Sequence, residues 1–113
     1  MENTEELARE IATLSAYLDA ATHRLLLCIR SFDHSGGWHE QGASSCAHWL
    51  TWRVGWDPGT ARERVRVARA LGTLPRIDGA LRSGALSYVK ARALTRVATP
   101  ENEERLLALA LLA

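Results

Sequence analysis

The 113 residues carry 14 Lys/Arg against 13 Asp/Glu, 47% apolar residues and two cysteines, which suits one domain with a modest core and excludes a disordered chain. No apolar run approaches the ~18 residues of a membrane span, and the acidic, polar stretch Met1 to Arg9 excludes a secretory leader, so a cytoplasmic location is expected. The net charge of +1 hides an asymmetry: residues 1–52 are net −4, residues 53–96 net +7 and residues 97–113 net −2, and a middle segment this basic is a footprint that nucleic acid could use, although solvated arginines on helix surfaces give the same count.

Proline occurs only at Pro58, Pro75 and Pro100, most glycines fall between periodic segments, and nothing alternates with period two. The expected class is all-α: a single bundle of about five to six helices with a long N-terminal helix and a helix-turn-helix-like pair. The first helix is predicted from Thr4, as N-cap, to Phe32, with Leu7, Ile11, Leu14, Leu18, Leu25 and Ile29 at helical spacing. Such a helix serves either as a spine for the others or as half of a dimer interface, and the stripe alone does not decide. Asp33 to Gly37 should end it. A second helix is predicted from a Ser44 or Ser45 cap through Cys46 and Val54 to Gly55, and a third from Asp57 as cap and Pro58 at the first position to Leu71. After Gly72, Leu74-Pro75 to Arg82 reads as a short helix closed by Gly84, Ser87 to Ala98 as another, and Thr99 as the cap of a last helix opening with Pro100. That helix ends in an apolar run, Leu106 to Ala113, without a stop signal, which fits a truncated chain or a helix that needs a covering partner.

The turn Val54 to Ala61 has helix-turn-helix spacing. Beyond it Arg62, Arg66 and Arg69 form one stripe at i, i+4 and i+7, while Ala61, Val65, Ala68 and Leu71 form a separate apolar arc. The stripe suits phosphates or a major groove, and it equally suits the solvated face of any amphipathic helix. Arg64 falls inside the apolar arc, where it needs to snorkel or find a carboxylate. Tyr88, Arg92 and Arg96 make a second basic set one turn apart; Lys90 is given no role. Trp49 and Trp52, at i and i+3, read as core anchors, and Cys28 and Cys46 as reduced core thiols. His34, His39, Cys46 and His48 are the set nearest to metal ligands, but residues at i and i+2 on a helix diverge, so no metal and no other cofactor is expected; His48 is expected to bond the preceding loop. The chain has no GxSxG elbow, P-loop, HExxH pair or His-Asn-His arrangement, so no catalytic residue and no small-molecule substrate is expected.

Three blocks in order, Ser45-Cys46-Ala47-His48-Trp49-Leu50-Thr51-Trp52-Arg53, then Ala61 to Leu71 with Leu74-Pro75, then Gly84 to Glu101, resemble the domain of unknown function 222 (DUF222) family, also met in 13E12 repeat proteins. The resemblance covers Gly42 to Glu104 closely and the N-terminal helix by pattern. It implies a helical module that in longer relatives precedes an HNH nuclease domain in proteins associated with mobile DNA. On this reading residues 1–113 are one domain, with 1–40 the long helix and its loop and 41–113 the family core, truncated after the third block. Two functional expectations follow. The first is a nucleic-acid-binding accessory module, DNA its partner, using Arg62, Arg66 and Arg69 with Arg53, Arg92 and Arg96 as secondary phosphate contacts. The alternative is a protein-interaction or dimerisation module, pairing with itself or a C-terminal HNH domain through the first and last helices, or a non-functional remnant.

Overall fold

The computed structural model describes residues 3–113, and among them there is no strand. The elements are α1 (Thr4–Ser35), α2 (Gly37–Glu40), α3 (Cys46–Trp49), a π-helical turn (Leu50–Val54), α4 (Pro58–Leu71), α5 (Pro75–Arg82), α6 (Tyr88–Leu94) and α7 (Glu103–Leu112). The all-α class holds, with α2 beyond the expected set and the expected second helix passing into a π-turn at Leu50. No helix among the described residues is long and apolar enough to cross a membrane. The chain divides into two compact units, one made of the residues up to Arg24 together with Leu74–Ala113, the other of Leu25–Thr73.

In the first unit, Leu74, Ile77, Leu81, Leu86 and Ala91 are buried. Pro75 at the first position pre-sets the backbone of α5, but its N-cap residue Leu74 has no side-chain acceptor for the exposed helix N–H groups. Glu103, at the start of α7 and only 2% exposed, supplies it: its carboxylate accepts from the N–H groups of Arg76 at 3.2 Å and Ile77 at 3.3 Å. Ser87 caps α6 by accepting from Lys90 N–H, and Asp19 of α1 accepts from Tyr88 N–H at 2.9 Å. The Lys90 ammonium donates to the Ala110 carbonyl at 3.2 Å, supplying the end of α7 with the cation that its own sequence lacks. His23, buried, places Nε2 2.9 Å from Asp78 Oδ1. Gly84 has φ +79, and a Cβ there would fall 3.0 Å from the Ala16 carbonyl, so the turn before α6 requires glycine on both counts.

Three boundaries differ from expectation here. Asn3, not Thr4, caps α1: its side chain accepts from Glu5 N–H at 2.7 Å. Beyond Leu94, Arg96 and Val97 donate to carbonyls three residues back, tightening the chain into turns, so α6 is shorter than expected. Asn102 accepts from Thr99 N–H and donates its own N–H back to the Thr99 carbonyl. That tight turn delays the regular helix to Glu103.

In the second unit the core is Leu26, Ile29, Ala43, Cys46 and Leu50 with Ala61, Val65, Val67, Ala68 and Leu71 of α4. Gly36, at φ +74, ends α1 in the left-handed conformation. Gly37 follows because a Cβ there would lie 2.6 Å from the Phe32 ring. Ser45 caps α3 by accepting from His48 N–H, Gly55 at φ +88 ends the π-turn, and Asp57 caps α4 by accepting from Thr60 N–H at 2.8 Å.

Two expected burials fail. Trp52 is 56% exposed, because the wider i to i+5 turn advances fewer degrees per residue, so position i+3 leaves the face held by Trp49. Trp49 itself is half-buried, edge-on to Phe32 at 4.7 Å. Cys28 is exposed and only Cys46 is buried, because the buried face of α1 there is set by Leu26 and Ile29.

Candidate nucleic-acid interface

Arg62, Arg66 and Arg69 do share one surface. α4 is fixed at its start by the Asp57 cap and Pro58, and its apolar arc Ala61, Val65, Ala68 and Leu71 is buried, so the opposite arc is turned outward by helical geometry. The three arginines line a cleft of about 580 Å³ in the second unit, together with Asp33, Trp38 and Ser45.

Each arginine is held differently. Arg69 makes a paired bond to Asp33, Nε to Oδ2 at 2.7 Å and Nη2 to Oδ1 at 2.9 Å. That bond raises its pKa further above the ordinary value, so it remains cationic throughout. Its side chain is 65% exposed while that of Asp33 is 12% exposed, so the carboxylate orients a guanidinium that still faces solvent. Arg66 Nε donates to Glu63 Oε1 at 2.6 Å. Arg62 is exposed and makes no ion pair among the described residues. Trp38 is fixed over the cleft by its indole N–H, which donates to the Asp33 carbonyl at 3.1 Å.

Cys46, at the cleft floor, has its thiol pushed up to about 11, first by burial and then by Asp33, with Arg69 opposing. At neutral pH it is a protonated, unreactive thiol. His48 accepts from Ser44 N–H through Nδ1 at 3.0 Å, bonding the preceding loop as expected, and His34 and His39 are exposed. Among the described residues no three His, Cys, Asp or Glu side chains gather as a metal set.

The other arginines of the sequence reading do not join this cleft. Arg53 is exposed on the π-turn with its guanidinium 5.2 Å from the Trp52 ring centre. Arg92 and Arg96 belong to the first unit, where they line a separate depression of about 420 Å³ with Val89, Ala93 and Val97. Tyr88 is half-buried, its backbone held by Asp19. The basic middle of the sequence is thus divided: Leu25–Thr73 has six Arg and four Asp/Glu, net +2, and the remaining residues eight Lys/Arg and nine Asp/Glu, net −1. Arg64, which its place in the apolar arc requires to snorkel or find a carboxylate, has its guanidinium 5.4 Å from the Trp56 ring centre.

The sequence reading missed Asp33 and Trp38. Asp33 lay in a stretch read only as a helix end, Trp38 in the loop after it had no assigned role, and no local pattern links residue 33 to residue 69.

The family model described as "Domain of unknown function (DUF222)" matches residues 5–106. The chain belongs to the DUF222 family. The match extends the resemblance seen in three blocks back through most of α1. No curated protein and no solved structure matches this DUF222 chain.

Proposed function

We propose that this DUF222 chain is a nucleic-acid-binding module, accessory to an HNH-type nuclease domain and without catalysis of its own. The observation that carries the reading is the cleft of the second unit, lined by three arginines together with the carboxylate of Asp33 and a fixed indole. A phosphodiester backbone matches this chemistry: planar guanidiniums bond phosphate oxygens two at a time, and an aromatic face receives an unstacked base or a sugar. Arg69, oriented by Asp33, and Arg66, oriented by Glu63, are presented in fixed directions, while Arg62 near the start of α4 is the principal phosphate contact. Arg53 extends the same unit's basic surface. Arg92 and Arg96 are secondary contacts on the first unit. The turn through Gly55 into α4 has helix-turn-helix spacing, with Arg62 in the N-terminal half of the second helix, where such helices meet DNA.

Anisotropy titration of the whole chain against labelled duplex and single-stranded DNA tests this. If the three cleft arginines each neutralise one phosphate of a duplex, log K falls with log salt at a slope of about −2.7, and Arg62→Ala brings it to about −1.8. Arg62 is exposed on α4, so this variant should keep the helicity of the wild type. Absent binding, or binding indifferent to salt, overturns the reading.

A further inference from the structure

The nucleic-acid reading leaves the outer face of α1 unused. Leu7, Ile11, Leu14 and Leu18 are spaced alternately by four and three residues, the interval that keeps apolar side chains on one seam of a coiled coil. They are 41%, 65%, 52% and 68% exposed. On a helix turning 100° per residue they lie opposite Ala16, Ala20 and His23, the half-buried and buried side within the first unit. None of the four belongs to that unit's buried core, and a contiguous apolar strip three turns long marks an interaction surface.

We propose that this seam is a self-association surface on which a second copy of the chain packs antiparallel, in a register centred on residue 16. The choice of occupant and direction comes from the sequence along the seam. Centred there, Leu14 faces Leu18 of the second copy and Ile11 faces its Ala21, so leucines pair in the two central layers and a large side chain meets a small one in the layer on either side. The flanking positions on one edge are Glu10, Tyr17 and Arg24, and on the other Ala8, Ser15 and Thr22. Antiparallel pairing sets like edges together. Glu10 of each copy then meets Arg24 of the other, twice by symmetry, the two Tyr17 rings meet at the axis, and the edge of small residues allows close approach. Parallel pairing sets opposite edges together, with Glu10 beside Ser15 and Tyr17 beside Thr22, and neither charge meets its opposite. A two-fold arrangement needs one self-complementary patch, and this face is one in charge as well as shape.

The test is sedimentation velocity of the full chain across a concentration series, with circular dichroism on each variant. The wild type should run as a dimer of about 25 kDa, twice the 12.5 kDa chain. Ile11→Asp with Leu18→Asp should give a monomer of unchanged helicity within the fold, because both side chains point away from the core. Glu10→Arg should weaken the dimer about tenfold by opposing Arg24, and Glu10→Arg with Arg24→Glu should restore it. A wild type that stays monomeric into the high micromolar range overturns the proposal, as does a dimer that survives the double Asp variant. A dimer insensitive to the charge exchange overturns the antiparallel register. Because the seam is separate from the cleft arginines, loss of dimerisation and loss of DNA binding are read by different variants.

Discussion

The two units differ in how their helix ends are completed: both use local caps, and one adds carboxylates from far along the chain. In Leu25–Thr73 the caps are local: Ser45 serves α3 and Asp57 serves α4, each reaching an N–H three residues ahead. In the other unit α5 depends on Glu103, more than 25 residues away, and α6, whose own Ser87 accepts from Lys90 N–H, has its first N–H, that of Tyr88, held by Asp19 of α1. A local cap fixes where a helix starts. A distant one fixes which helices pack together, because the carboxylate reaches its N–H partners only when both elements are in place. The same four unsatisfied N–H groups thus define boundaries in both units and, in one of them, tertiary structure as well.

The contrast breaks most directly at Glu103. Glu103→Ala leaves the N–H groups of Arg76 and Ile77 without their carboxylate in a buried place, and should cost about 2 to 3 kcal/mol. Urea denaturation followed by circular dichroism reads this, and Glu103→Gln, which keeps an acceptor, should recover part of the loss. Ser45→Ala is the matched local case and should cost about 1 kcal/mol. Equal losses at the two positions would erase the distinction between distant and local caps.

Much of the fold was legible because its signals are local. Ser45, Asp57 with Pro58, Ser87 and Gly55 all sit where the sequence places them, since a cap and a left-handed glycine act within one turn of the chain. The apolar arc of α4 was legible for the same reason. What escaped falls into two physical classes. Contacts distant in sequence, Glu103 with α5 and Asp33 with Arg69, leave no periodic trace. Departures from 100° per residue, at the π-turn, move Trp52 off the face that a regular helix assigns it. The candidate site was half legible: Arg62, Arg66 and Arg69 came from the wheel, while Asp33, which orients Arg69, and Trp38, which lines the cleft beside it, came only from the packing. The +7 middle segment was visible, but its division between two units was not.

Asp33 offers a sharper version of the comparison, a contact that is distant in sequence yet lies at the surface. Because Arg69 is largely exposed, solvent screens the pair, and Asp33→Asn should cost about 0.5 to 1 kcal/mol by urea denaturation, well below Glu103→Ala. A loss as large as that of Glu103 would show that sequence distance, rather than burial, sets the energy of these contacts.

The smallest effect is expected at Asp57, and it is read through pH. The N–H and hydroxyl of Thr60 hold its carboxyl below the ordinary carboxylate value. A group whose pKa is lower in the folded than in the unfolded state stabilises the fold fully above the unfolded value, and that stability disappears as pH falls through the folded one. The window therefore opens near pH ~4 and extends downward. Asp57→Asn keeps an acceptor for Thr60 N–H but removes the titration, so wild type and variant should track each other near neutrality, and the wild type should lose stability more steeply on acidification. Other carboxylates titrate in the same window, so the informative quantity is the difference between the two pH curves. Parallel curves down to pH ~2 would mean that the cap acts through its hydrogen bonds alone, with no contribution from charge at the start of α4.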